Sequence, residues 1–489
     1  DQSIYGFRGA TIRNIMQFEL DYPNAQTVLL EQNYRSTQNI LNAANAVITQ
    51  NESRKEKNLW SDAGAGTPLV GYVAESEHDE ANFIADEIRS LQRDGVSTPG
   101  DTAIFYRTNA QSRVFEEVFM RNALPYKVVG GLRFYERREV KDLLAYLRVL
   151  ANPEDEISLR RIINVPKRGI GDTSLDYVDL YARENNISFW QGLLRCNEIG
   201  SVPARAAQAI NEFTSMISAL SVLVEAKTKP SVIVEAALEQ SGLLKELVDS
   251  TDPQDEVRVE NLKELVAVSM EYEERPFEEL GEDEEISLAG FLEKVSLVAD
   301  ADEIPEGEDH GGVVTMMTLH TAKGLEFPTV FLTGMEDGIF PHSRTLGEKD
   351  EIEEERRLAY VGLTRARQRL YISRAEYRST WGAPNYNPPS RFLDEIPEEV
   401  IEWRNQSRTS LSPSLIKKSR TATAPPPRAT GKKSVAMELA VGERVSHDTF
   451  GLGTVVSIAG AGDKAEATIN FGQYGEKRLL LRYAPVEKL

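Results

Sequence analysis

Short apolar runs alternate with helix-spaced patterns at both ends of this chain, and a long block with almost no strand signal separates them. No other feature restricts the possible folds as much. In the first stretch, "TVLL" (27–30), "LVGYVA" (69–74), "TAIFY" (102–106) and "YKVV" (126–129) read as short buried strands. Between and before them, "TIRNIMQFEL" (11–20), "TQNILNAANAVI" (37–48) and "EANFIADEIRSLQ" (80–92) carry apolar residues three and four apart and predict helices. Such alternation points to a parallel α/β sheet. From 137 to 305 the pattern turns helical, with "REVKDLLAYLRVLA" and "PSVIVEAALEQSGLLKELV" as its clearest pieces. Strands return in "VVTMMTL", "TVFLTG" and "RLYISRA", around a helix in "EEERRLAYVGLTRA". The simplest account is one α/β domain, 29–136 and 306–397, interrupted by an all-α insertion.

The remainder divides more sharply. Residues 404–434 hold eight basic side chains and no acid, and Ser, Thr and Pro fill most of the rest. Such a stretch cannot bury enough apolar area to fold, so 398–437 is expected to be a basic, disordered linker. The final 438–489 shows short β-rich runs between Gly turns and predicts a small β-barrel.

Composition excludes several classes. One cysteine, Cys196, rules out an internal disulfide and fits a reducing cytoplasm. Five scattered histidines and that cysteine disfavour a zinc site, and no metal ligands are expected. No stretch approaches the roughly 20 apolar residues of a membrane span, and no apolar run marks a signal peptide. The net charge of −21 taken alone argues against nucleic acid, but the acids crowd 272–287 and 348–355 while bases gather elsewhere.

Four short segments carry candidate chemistry. "DQSIYGFRGA" (1–10) packs an amide, two aromatics, an arginine and two glycines into ten residues. "NYRST" (33–37), read alone, is a strand end leading into a helix N-cap with Arg35 on the surface. "TLHTAKGLEFPTVFL" (318–332) is either a Lys-Gly turn with solvated charges or a ligand loop at a sheet edge. "RRLAYVGLTRARQRLY" (356–371) holds five arginines, ordinarily a solvated helix face, but Arg365 sits where helix gives way to strand.

Taken in order, these segments resemble the later motifs of superfamily 1A DNA helicases, most closely the PcrA/UvrD group. "FYRTNAQSR" (105–113), "GGLRFYERREVKD" (130–142) and "PPSRFLDEIP" (388–397) extend the likeness over nearly the whole chain. The resemblance implies a RecA-like motor domain with an all-α insertion, then a linker and a Tudor-like barrel. Residues 1–28 would be the tail of a first motor domain. The phosphate-cradling loop and the acidic Mg²⁺ motif would lie on that first domain; the one lookalike here, "ATGKKS" (429–434), lacks the upstream glycine. The chain is therefore expected to be the C-terminal part of a longer ATP-dependent enzyme, inactive without its N-terminal half.

Roles follow from the same resemblance. Gln2 looks like the glutamine that senses the γ-phosphate, Tyr34 like the tyrosine that stacks on adenine, and Glu326 like a ribose contact. Arg35 and Arg365 look like the pair that reaches the γ-phosphate across the cleft. Tyr5, Phe7 and Arg8 resemble the first-domain grip on single-stranded DNA; Arg107, Asn109 and Trp381 resemble its second-domain partners, and His320 a coupling residue. The family usually has Trp where this chain has Phe7. In the insertion, "NVPKRGIGDTSLD" (164–176) offers Lys167, Arg168, Gly169 and Gly171 to duplex DNA at a junction, or else is an ordinary helix-to-helix turn. Implied partners are ATP, DNA, the N-terminal half and, through the barrel, RNA polymerase. Two rival readings stand beside this one. One is a binding module acting through the insertion and barrel alone. The other is a helicase–nuclease, for which no nuclease domain follows the motor.

Overall fold

The computed structural model describes residues 1–6, 10, 17–18, 20–52, 54–274, 286–300, 312–380, 383–405, 439–460, 465–484 and 486–489. These form two compact units: Asp1–Arg137 with Val298–Thr409, and Arg138–Leu297 with Ser410–Leu489.

The first unit is built on seven parallel strands. In chain order they are β1 (Leu69–Ala74), β2 (Thr102–Tyr106), β3 (Tyr126–Val129), β4 (Val314–Thr318), β5 (Phe327–Leu332) and β6 (Ala366–Ala375); a small hairpin of β7 (Arg378–Thr380) and β8 (Ala383–Asn385) precedes the last, β9 (Ile401–Arg404). The order across the sheet is β3-β4-β2-β5-β6-β1-β9, with every neighbouring pair parallel. Strand β2 lies near the middle, and all five of its residues are buried, which is why it reads as an unbroken apolar run. Its side chains alternate between faces. Ala103 and Phe105 join the helices Gln38–Ile48 and Lys349–Leu363 in one core; Ile104 and Tyr106 join Glu77–Arg93 and Ser112–Arg121 in the other. Ser76 caps the helix Glu77–Arg93 by accepting from Asp79 N, and Glu77, Asp79 and Glu80 occupy its first turn, where the helix dipole favours acids.

Two expectations change here. "TVLL" forms no strand: Val28 and Leu30 are largely exposed, and the run makes no ladder hydrogen bonds among the described residues. Three apolar residues and a threonine with no neighbouring strand among the described residues cannot define one. At the other end, 398–404 belongs to the sheet rather than to a linker, because β9 pairs with β1 and buries Val400 and Ile401. A four-residue edge strand leaves too little periodicity to recognise. The rest of the expected linker, 406–437, and most of "TIRNIMQFEL" lie outside the described residues.

The second unit begins with the helical insertion, whose longest helices are Ala204–Glu225 and Pro253–Glu273. "PSVIVEAALEQSGLLKELV" is two helices, Pro230–Ser241 and Leu243–Val248, broken at Gly242 with φ +83°, a left-handed turn that an L side chain resists. The C-terminal strands β10 (Arg444–His447), β11 (Gly451–Ala459), β12 (Glu466–Asn470), β13 (Glu476–Leu480) and β14 (Val486–Lys488) make an antiparallel, Tudor-like barrel in the order β13-β12-β11-β10-β14. No described helix is long and apolar enough to cross a membrane.

Candidate functional site

The candidate nucleotide-side residues gather at the N-terminal ends of β5 and β6. Asn33 Oδ1 accepts from the backbone N–H of Arg35 at 2.8 Å and of Ser36 at 2.9 Å, folding "NYRST" into a tight turn. Ser36 Oγ donates to Ala366 O at 2.6 Å, and Thr37 N donates to Arg367 O at 3.2 Å. The turn is thereby stapled to the first residues of β6. Arg35 Nε donates to Glu326 Oε2 at 2.5 Å and its Nη1 to Thr364 O at 3.2 Å. Glu326 is in place because the next residue opens β5, with Phe327 N donating to Arg365 O at 3.0 Å.

Arg365 sits beside the same Thr364. It is only 2% exposed. Its Nε donates to Val361 O at 3.0 Å, Nη1 to Leu325 O at 3.3 Å and Nη2 to Thr364 Oγ1 at 3.1 Å. Among the described residues no carboxylate lies within ion-pair distance of it. Burial, and next the charge of Arg35, push its pKa down to about 10. Arg367 approaches Glu326 at 3.9 Å. The Arg35 hydrogen bond holds the Glu326 carboxyl below the usual carboxylate range. Arg35 and Arg367 thus pair with one carboxylate, and the charge of Arg365 acts on it from farther away, which leaves positive charge in excess at this edge. Tyr34 projects from the turn 85% exposed, its hydroxyl donating to Gln32 Oε1 at 2.8 Å, so a ring face is open.

A second group lies toward the other edge. Strands β4 and β5 are parallel, so residues 319–326 run back from the end of one to the start of the other, with His320 and Glu326 near opposite ends of this segment. Lys323, between them, donates to Gln2 O at 2.8 Å and stands 5.1 Å from the Tyr5 ring centroid. Tyr5 donates to His320 O at 3.4 Å, with the two rings 6.4 Å apart. The opening segment is held by Arg357 Nε donating to Ser3 O at 3.0 Å and Gly6 N donating to Glu354 Oε1 at 2.7 Å. Gln2, Lys323, Tyr5 and His320 are therefore linked by successive contacts, with the Gln2 residue exposed.

Arg107 and Asn109 follow the end of β2. Arg107 is bound by both oxygens of Glu355 at 2.8–3.0 Å, and Glu355 also accepts from His342 N at 3.1 Å. Asn109 O accepts from Arg137 Nη2 at 3.1 Å. Phe7, Arg8 and Trp381 lie outside the described residues.

The profile of the UvrD-like helicase C-terminal domain matches residues 28–377, and that of the PcrA/UvrD tudor domain matches 441–488. The chain belongs to the UvrD-like helicase family. It is 54% identical over 503 residues to the ATP-dependent DNA helicase UvrD1 of Mycobacterium tuberculosis strain H37Rv, covering all of this chain and 64% of that protein. It is 44% identical over 495 residues to the ATP-dependent DNA helicase PcrA of Bacillus subtilis strain 168, covering all of this chain and 66% of PcrA. The chain thus spans just under two thirds of the length of these relatives.

Within this UvrD-like chain the turn at 164–176 divides the residues expected to act together. Lys167, Gly169 and Gly171 are exposed, and the helix Asp172–Glu184 follows. Arg168 turns inward instead. Its Nη1 donates to Ile162 O at 3.1 Å and Val165 O at 3.0 Å, and its Nη2 to Tyr146 Oη at 2.6 Å and Ser241 O at 2.9 Å. These hydrogen bonds tie helix ends together around a half-buried Arg168. Two residues of the site were missed from sequence. Arg367 lies in the five-arginine run already singled out, two residues past Arg365. Lys323 gave no sign, because its contact is a backbone carbonyl more than three hundred residues away.

Proposed function

We propose that this chain is the closing half of an ATP-dependent 3′–5′ DNA helicase. In this reading Arg35 and Arg365 are delivered to the γ-phosphate of ATP bound on a first motor domain, Gln2 reports on that phosphate, Tyr34 stacks on the base and Glu326 meets the ribose. The observation that carries it is the excess of positive charge at the N-terminal edge of the sheet, where Arg35 and Arg367 pair with Glu326 and Arg365 lies beside them with no ion-pair partner among the described residues. Ligands resident in parallel α/β sheets lie at the carboxyl edge. A cationic cluster at the opposite edge suits a surface that completes a site built elsewhere. Phosphoryl transfer spreads charge over equatorial oxygens, and a planar guanidinium neutralises it only once delivered. The edge does not suit Mg²⁺, since its one carboxylate is already paired with Arg35. Mg²⁺ ligands are assigned to the first motor domain.

The single-stranded DNA track is assigned to Tyr5, Phe7, Arg8, Arg107, Asn109, His320 and Trp381, with Lys167, Gly169 and Gly171 meeting the duplex at the junction. Stacking grips any base, so it suits a translocase. The path from Gln2 through Lys323 and Tyr5 to His320 is the route by which phosphate state reaches the strand. Work on DNA in repair and replication, in the cytoplasm, follows from the same reading. DNA-stimulated ATPase is measured for this chain with and without an added N-terminal half. Turnover only in the mixture is expected; turnover by the chain alone, or by neither, defeats the proposal. DNA binding without turnover in the mixture favours the binding-module reading.

A further inference from the structure

We infer that the C-terminal barrel docks reversibly on the helical insertion of its own chain, and that the docked face is closed to any other partner until it is released.

The contact starts from one apolar side chain. Val222, near the end of the helix Ala204–Glu225, is buried in the same cluster as Val445, Phe450, Phe471 and Leu479 of the barrel. Polar contacts ring it. Glu225 pairs with Lys477, whose ammonium also stands 5.7 Å from the Phe450 ring centroid. Thr449 Oγ1 donates to Ala226 O at 3.1 Å, a carbonyl just past the helix end, where the backbone dipole is negative. On the next helix, Glu239 accepts from Arg482 Nη1 at 2.8 Å and from the Tyr483 hydroxyl. Glu225 and Glu239 thus face Lys477 and Arg482 around one apolar centre.

The same contact is built to let go. Its ion pairs are partly exposed, with Arg482 34% and Glu239 37% accessible, so each contributes little and salt screens it. Beside it lies a cavity of about 1110 Å³, lined by Gln208, Asn211 and Glu212 of the insertion and by Glu466, Arg478 and Leu480 of the barrel. Permanent interfaces are packed like protein interiors. This one is a small apolar spot with a polar gap at its side, and covalent linkage within one chain replaces affinity.

The test is hydrogen exchange on the whole chain, with variants placed on the insertion and the effect read in the barrel. Glu225→Arg and Glu239→Arg lie outside the barrel. Each is expected to speed exchange at 447–452 and 476–483 by roughly tenfold, the factor corresponding to about 1.4 kcal/mol. Adding Arg482→Glu to Glu239→Arg restores the pair with its signs swapped and is expected to restore protection. Unchanged exchange in both single variants overturns the inference. So does an increase that the swap does not reverse, since that would report damage rather than a lost contact. None of these readouts involves ATP or DNA, so the result is independent of the helicase reading.

Discussion

At one edge of the seven-stranded sheet, Arg35 and Arg367 share the carboxylate of Glu326 and Arg365 has none within ion-pair distance among the described residues; toward the other edge, Arg107, Arg378 and Arg391 each have a carboxylate of their own. Arg378 has two. Its guanidinium is bound by Glu336 at 2.7–3.1 Å and by Glu80 at 2.6 Å, and both acids are fully buried. Ser373, Gly334 N and Ala375 N satisfy the remaining oxygens of that pair. The arginines of the second set are each matched by a carboxylate. Those of the first outnumber theirs and remain under-neutralised, which leaves them charge to offer. Residue type alone does not separate these two uses; the ratio of cations to nearby anions does.

The comparison breaks or sharpens at four points. The largest effect is expected for Arg365→Lys in the two-domain enzyme: loss of ATP turnover by roughly 10³-fold or more, because an ammonium cannot replace a planar donor fork. Steady-state ATPase measures it, and a loss below about tenfold would show that the under-neutralised edge is not the catalytic one. Next is Arg378→Ala, which leaves two buried carboxylates unpaired. A stability loss of about 3–5 kcal/mol in chemical denaturation is expected. The combination Arg378→Met, Glu80→Gln and Glu336→Gln should recover much of it, and equal damage in both would mean that packing rather than charge is at stake.

A smaller effect is expected for Arg367→Gln. This arginine is partly exposed and 3.9 Å from Glu326, so solvent weakens its field. KM for ATP should rise several-fold with kcat almost unchanged; a fall in kcat alone would give Arg367 a role in the chemical step. The smallest concerns His447 in the barrel, a buried polar group whose Nε2 has no hydrogen-bond partner among the described residues. Its Nδ1 accepts from Thr449 N at 3.1 Å. Burial lowers its pKa. The unfolded chain therefore takes up the proton first, and stability falls as pH drops below about 6.5. The wild type should lose stability there relative to His447→Gln, with no difference in slope above pH 7 by thermal unfolding. Parallel curves would remove His447 from the account.

Much of this architecture was readable beforehand, for local reasons. "TAIFY" and "LVGYVA" declare themselves as strands because buried parallel strands are apolar without interruption. "REVKDLLAYLRVLA" declares a helix whose bounds match the observed Arg138–Ala151. Where the reading failed, the deciding partner was distant or missing. "TVLL" has the composition of a strand and no neighbour to pair with. β9 is too short to be periodic, and β1, more than three hundred residues earlier, makes it a strand. The internal partners of Arg168, Tyr146 and Ser241, could not be read from its turn.

By itself the sequence determined which stretches are helix or strand, where the helical block interrupts the sheet, and which motifs carry arginine, glutamine and aromatic side chains. Those properties depend on spacings of two to four residues, and every copy of the chain carries them, folded or not. Tertiary structure alone decided which charges cancel. Arg35 meets Glu326 across 291 residues of chain, Arg378 meets Glu80 across 298, and Arg365 meets carbonyls and a hydroxyl. Electrostatic energy depends on distance and burial in space, which separation along the chain does not reveal.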